Sequence, residues 1–537
     1  MRVTQPFDVT QGRGPVERQM VVFRQPHRGR FVWLLTAFLI IHLLVLWCAP
    51  ATLLAQDSVE DVSTDTGLDE ILQGFDDEDV DTQEGPRNQT PEDLDDENAI
   101  GEKNQSLDDV LEGFEEGEGV EKKETGKAEP EKLASHKFSG NVSLGASYAY
   151  DHDAPKPGEP DYRGLNRLRP ELNLEWDGRL SKNWRALVGG HFFYDFAYEI
   201  KGRDQFTEAM LDLYESEALL DEAFLQGMLS SDLDLKIGRQ IVAWGRSDNI
   251  RVVDILNPLD FREPGLVDIE DLRLPVFMTK LDYYLPNWSL SGLALHEIRF
   301  SFNPVFNAEF FPFDQPLPPE ETPANTLDNT QFGLALNGVF SGWDISFYGA
   351  RFFQDETHLE MVSPTQLVRR HSRLNMLGAG MNFAWGNWLL KSEAGYFDGL
   401  EFLALPGETK SRFDFMLGLE YSGFSETMLS LEAANRHLID FDPRLKAAQG
   451  GVRENQFQAV FRGQKNFMHD SLHLTFLASM FGRKADGGAF QRFSVGYDVR
   501  DNVLVTVGVV TYQSGDLPFF RNIGDNDRLF FDARYFF

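Results

Sequence analysis

Between Gly238 and Arg273 the chain reads GRQIVAWGRSDNIRVVDILNPLDFREPGLVDIEDLR. Among its charged residues of both signs, Arg246, Asp248, Arg251, Asp254, Asp260 and Arg262 stand with Ile250, Val252, Val253, Ile255 and Leu256. Opposed carboxylates and guanidinium groups at this density can clamp a loop by ion pairing or sort ions by a transverse field; they do not by themselves break covalent bonds. Catalysis would need other company. The chain has 11 His and many Ser and Asp, yet none stands in a nucleophile-elbow, HExxH or phosphate-loop context. A single Cys excludes a disulfide framework and a thiolate metal site. Asp151 with Asp153, and Asp440 with Asp442, have a spacing that can hold Ca2+ at loop tips, but solvation is the ordinary fate of such loops. No enzyme, catalytic residue, metal or cofactor is assigned.

A stretch this apolar, 29 residues from 245 to 273, is no free loop and must pack on something. The flanking sequence says what. Phe413, Phe415, Leu417, Leu419 and Tyr421 alternate with Arg412, Asp414, Gly418 and Glu420; Phe493, Val495, Tyr497 and Val499 alternate with Arg492, Ser494, Gly496 and Asp498. Period-two alternation predicts strands with one apolar and one polar face. Short turns recur at 181–183, 230–231, 286–287, 341–342, 386–387, 422–425, 469–470 and 501–502. Between them lie connections at 151–163, 201–214, 245–273, 305–328, 356–370, 399–410, 438–453, 483–488 and 514–525, of which only 483–488 is short. Strict alternation of short turns with mostly long loops gives about 18 strands, 16 being the neighbouring even count, with both ends at the short-turn side. That asymmetry belongs to transmembrane antiparallel β-barrels, not to sandwiches. The expected fold class is therefore all-β, a barrel over 136–537.

In such a barrel the 245–273 segment either folds into the lumen and narrows it, with the six charged residues as constriction candidates, or packs over the mouth as a cap. Arg239 shares parity with lipid-facing Leu235 and Ile237, so either a bulge after Gly238 or a position at the outer interface must relieve it. The last residues, with Tyr535 and Phe537 on the apolar parity, resemble the C-terminal signature read by the barrel assembly machinery.

Gly238-Arg239-Gln240, Trp244-Gly245 and the DILNPLD run from Asp254 to Asp260 resemble the pattern of proteobacterial outer-membrane proteins grouped as domain of unknown function 1302. The likeness extends, more weakly, over the whole 136–537 segment. It implies a barrel of this size in the outer membrane with a porin-like role, often encoded beside RND-type exporters. About 18 strands leave an aqueous lumen unless loops fill it. The expected function is a channel or the outer-membrane component of an export system; the alternatives are a hydrolase on a barrel wall and a non-conducting structural or adhesive surface barrel.

The N-terminal quarter differs. Phe31 to Cys48 is a continuous apolar run preceded by Arg24, Arg28 and Arg30 and followed by Ala49, Ala51 and Ala55. This is the order of a secretory signal peptide over 1–55, with Met20 as an alternative start and an inner-membrane anchor as the rival reading. Val45 and Trp47 do not suit lipidation of Cys48. From Asp57 to Ser135, 28 acidic and 6 basic residues put -22 of the chain's net -35 on 79 positions, which predicts a disordered acidic periplasmic segment over 56–135. The net charge also excludes a nucleic-acid binder. Within the segment LDxxLxGF occurs twice: Leu68, Ile71, Leu72 and Phe75, then Leu107, Val110, Leu111 and Phe114, each set at i, i+3, i+4, i+7. Such a pair can fold onto a periplasmic or inner-membrane exporter partner; the plain alternative is a duplicated spacer. Outer-membrane lipid and the assembly machinery complete the expected partners.

Overall fold

The computed structural model describes residues 135–267, 271–447 and 452–537. The expected signal peptide and, apart from Ser135, the acidic segment with both LDxxLxGF copies lie outside the described residues.

The strands in chain order are β1 (Ser135–Ala149), β2 (Gly164–Arg179), β3 (Trp184–Tyr194), β4 (Ser216–Ser230), β5 (Leu233–Gln240), β6 (Val276–Tyr284) and β7 (Trp288–Leu295). A two-residue rung, β8 (Glu320–Glu321), precedes β9 (Gln331–Phe340), β10 (Trp343–Ser363), β11 (Gln366–Trp385), β12 (Trp388–Glu401) and β13 (Thr409–Tyr421). The rest are β14 (Thr427–Leu438), β15 (Asn455–Phe467), β16 (Leu472–Phe481), β17 (Gly488–Arg500), β18 (Val503–Gln513) and β19 (Arg528–Phe536). Apart from β8, which lies parallel on β11, each strand pairs antiparallel with its chain neighbours, β7 joining β9 directly. The ring closes where β19 pairs β1 from Asn141↔Phe536 to Ala149↔Arg528. Gly140 and Phe537 extend the seam by exchanging backbone hydrogen bonds of 3.0 Å each way. The product is a closed 18-strand barrel without a free long edge.

Residue parity sets inside and outside. On β13 Phe413, Phe415, Leu417 and Leu419 are exposed, whereas Asp414, Met416 and Glu420 are buried. β1 repeats this, with Val142, Leu144 and Tyr148 exposed and Ser143 and Ser147 buried. An exposed apolar ring around a polar-walled cylinder is stable only against hydrocarbon, because in water it would be a large uncovered apolar surface. No helix among the described residues is long and apolar enough to cross a membrane; the strands cross instead. Tyr535 and Phe537 lie exposed on this outer face at the seam.

All eight expected short turns join strands where the residues placed them. One expected loop does not exist as such. The 356–370 stretch is the far half of a long β10–β11 hairpin, joined only by Pro364 and Thr365. Its sequence lost apolar alternation because both faces there carry polar groups, among them Arg370 paired with Glu360 at 2.9 Å and Glu321 at 2.7 Å.

Gly238 takes φ +133°, and a Cβ there would stand 2.2 Å from the Ala223 carbonyl oxygen. The β5–β6 register nevertheless runs through without a shift, so the expected bulge is not what accommodates Arg239. Arg239 stands one residue before the end of β5 at the long-loop side, where its guanidinium grips Glu297 (2.5 Å) and donates to the Leu220 carbonyl (2.9 Å).

Candidate functional site: the segment inside the barrel

The chain leaves β5 at Gln240 and turns into the lumen. Asn257 staples the neck of the segment: its Oδ1 accepts from Val242 N (2.8 Å), and its Nδ2 donates to the carbonyls of Gln240 (3.2 Å) and Leu274 (2.9 Å). Asp254 adds a second staple, accepting from Trp244 N (3.2 Å) and pairing with Arg273 (3.0 Å). A buried amide and a buried carboxylate at this spacing thus give the DILNPLD run its job: they close a loop whose ends are the ends of adjacent strands.

Beyond the neck, two wall carboxylates receive the backbone. Glu393, inward on β12, accepts from the amides of Arg246, Ser247 (2.6 Å) and Val253 (3.3 Å). Glu432, inward on β14, accepts from the amides of Asp248 (2.9 Å) and Asn249 (3.0 Å) and from Ser247 Oγ (2.7 Å). Both glutamates are buried, so the bonds act where water competes poorly. Gly245, at φ +91°, lets the chain approach: a Cβ would sit 2.5 Å from a Glu393 carboxylate oxygen. Trp244 stacks on Tyr348 of β10 with centroids 5.0 Å apart.

Apolar packing completes the seal. Ile250, Val252, Val253 and Leu256 are buried in one cluster with Met278 of β6, Leu295 of β7, Phe352 of β10, Phe397 of β12, Met416 of β13 and Leu477 of β16. Each such side chain stabilises the packed position by about 1.5–3 kcal/mol. The segment then crosses to the opposite wall, where Leu266 packs with Val510 and Tyr512 of β18 and with Phe310 from the connection after β7. The connection after β7 therefore joins the segment on this wall.

All six charged candidates are drawn into the barrel with the segment, but not as opposed rows across open space. Arg246 binds Asp344 (2.5 Å) and Ser346 (2.5 Å) on β10; Asp248 pairs with Lys391 of β12. Arg251 and Asp254 are joined within the segment (3.3 Å). Asp260 binds Arg262 (2.6 Å), which reaches Glu217 on β4 (3.0 Å). The charges neutralise one another and fix the segment, because an unpaired charge in this interior would cost several kcal/mol. Glu263 supplies another anchor between Arg167 (3.4 Å) and Arg169 (3.1 Å) of β2. Burial opposes its ionisation, but Arg167, Arg169, Arg528 and Arg262 hold its carboxyl down at about 2.

Sequence reading missed the wall side of these contacts, Glu393, Glu432, Lys391, Asp344 and Ser346, and the staple Asn257 within the segment. The one available signal was a buried-parity charge in an alternating strand, as in Lys391 and Glu393 between Leu390 and Ala394.

A closed antiparallel cylinder with an outer apolar belt, polar inner wall and inward-folded connection defines a transmembrane β-barrel of the porin type. The chain belongs to the family described as "Protein of unknown function (DUF1302)", whose model matches residues 161–537. A search of curated proteins finds no match. Among solved structures it is similar to the outer membrane protein OpdK of Pseudomonas aeruginosa at 10% identity, covering 75% of this chain and 99% of that one with a TM-score of 0.44. OccK9 (OpdG) of the same organism has 11% identity, coverages of 75% and 98%, and a TM-score of 0.46. OmpT, an outer membrane protein of Vibrio cholerae, has 9% identity, coverages of 75% and 98%, and a TM-score of 0.35. Identity and superposition this low leave the functional reading to the chain's own geometry.

Proposed function

We propose that the protein is a channel of the bacterial outer membrane, porin-like or the outer-membrane arm of an exporter, whose lumen is constricted by the 245–273 segment. The observation that supports this reading is the reception of five segment amides by Glu393 and Glu432, two inward carboxylates of the barrel wall. Carboxylate anchors of this kind can be released singly, unlike a continuous sheet, so the same contacts that close the lumen can set how often it opens. The acidic N-terminal segment would then be periplasmic, with its LDxxLxGF copies as contacts for an exporter. The reading is tested by deleting residues 248–262 and recording in planar bilayers: single-channel conductance rises, and an unchanged conductance in a folded barrel defeats the constriction.

One observation favours a second reading, a surface hydrolase. Ser372 Oγ lies 2.9 Å from His358 Nδ1, and His358 Nε2 lies 3.3 Å from Glu401. Against it, Ser372 is only 2% exposed, which leaves a nucleophile no approach for substrate. Esterase or protease activity in the purified protein that is lost on Ser372→Ala would reverse this preference.

A further inference from the structure

Two carboxylates of the wall beneath the segment, Glu393 and Glu432, are held by hydrogen bonds alone. Asp344, Glu393, Glu420 and Glu432 face inward there; Asp344 is bound by Arg246, Lys391 binds Glu420 at 3.1 Å and Asp248 of the segment, and Arg462 of β15 is buried on the same face opposite Ser430. Glu393 and Glu432 are met by backbone amides and the Ser247 hydroxyl, with no side-chain cation bonded to either among the described residues. A second observation points the same way. Ser430, opposite Glu420 and on the same inward face as Glu432, is 3% exposed, and its hydroxyl has no hydrogen-bond partner among the described residues. Asn249, whose amide N–H bonds Glu432, likewise has a buried side-chain nitrogen without a partner. Around these polar groups the wall is apolar, with Met416 directly opposite Glu393 and Phe397 and Met376 beside it.

We propose that this wall is a binding site for amphipathic cations, an ammonium group on an apolar body, and that the segment's own amides occupy its carboxylates in the closed state. The inference rests on the channel reading above. An ammonium replaces the loop's N–H donors with up to three of its own and adds a full charge, which backbone amides lack. The Ser430 hydroxyl supplies a further acceptor, and the apolar body takes the place that Ile250 and Val253 hold against Met416 and Phe397. A carboxylate-bearing solute of the same size meets a repulsive wall, so the site discriminates by charge as well as by polarity.

The test uses the full chain and its variant lacking 248–262, with folding checked by heat-modifiable gel mobility. Arg246, Lys391 and Arg462 stay in the variant, yet no side-chain cation is bonded to Glu393 or Glu432 among the described residues. The shortened channel should pass K+ in preference to Cl− by reversal potential, and phenethylammonium should block it at a concentration at least about tenfold below that of 3-phenylpropionate. Glu393→Gln with Glu432→Gln in the same background should remove both preferences. Calorimetric titration of phenethylammonium and 3-phenylpropionate into the same proteins in detergent reads the site whether or not current flows. Unchanged conductance on deletion, with cation binding retained, defeats the constriction and leaves the site. Higher conductance without cation preference, or equal binding of the two probes, overturns the site alone.

Discussion

Replacing Glu393 by Ala removes the acceptor for three segment amides, those of Arg246, Ser247 and Val253. A hydrogen bond to an ionised acceptor contributes about 1.5–3 kcal/mol. The three share one carboxylate and do not add, and losing a buried charge returns part of its desolvation cost. The net loss for the closed segment is about 3 kcal/mol, on the order of a hundredfold in the closed-to-open ratio at 1.4 kcal/mol per tenfold. Ile250, 3% exposed and four residues along from Arg246, reports that ratio. Its Cys variant, placed in otherwise wild-type and Glu393→Ala backgrounds, can be labelled in isolated membranes with a membrane-impermeant maleimide. Labelling should quicken on the order of a hundredfold in Glu393→Ala and less in Glu393→Gln, which keeps one carbonyl acceptor. A rate within threefold of the parent, in a barrel that remains heat-modifiable, would refute the view that this carboxylate holds the segment.

Three further outcomes are expected. Gly238→Ala forces a Cβ into the Ala223 carbonyl at positive φ and should destabilise the β4–β5 wall by more than the roughly 1–3 kcal/mol of the backbone strain alone, read as a lower unfolding midpoint in urea; an unchanged midpoint argues against the close approach. Glu263, ionised down to about pH 2 when folded against about 4.5 when free, adds about 3 kcal/mol to the closed state above pH 4.5 and loses it as pH falls from there toward 2. Hydrogen exchange over 261–267, corrected for intrinsic rate, should thus stay flat from pH 8 to 5 and rise below 4; a rise between pH 8 and 6 would contradict the assignment. A peptide of residues 64–80 should capture a periplasmic or membrane partner and lose it on Leu72→Ala with Phe75→Ala, and no specific capture would leave the repeat a spacer.

Legibility differed by level. The β13 and β17 stripes could be read because one face meets lipid and the other does not, so each strand repeats one contrast every two residues. The β10–β11 hairpin could not be read at its far half, because there both faces are polar and the contrast vanishes. The segment after β5 announced itself by composition: apolar residues in a connection need a surface, and its charges need partners. Two of those charges find partners far along the chain, Arg246 at Ser346 100 positions away and Asp248 at Lys391 143 positions away, and no local pattern carries that pairing.

The amino-acid order alone therefore determined the barrel, its approximate strand number, the turn positions and the segment that cannot stay in solvent, since all of these follow from periodicity and local composition. Tertiary structure decided the rest. Closure brings β10, β12 and β14 around the segment, and only then do Asp344, Glu393 and Glu432 become its anchors. It also decided that Arg246, Asp248, Arg251, Asp254, Asp260 and Arg262 each meet an opposite charge, because a charge inside the barrel is costly unless a partner stands beside it.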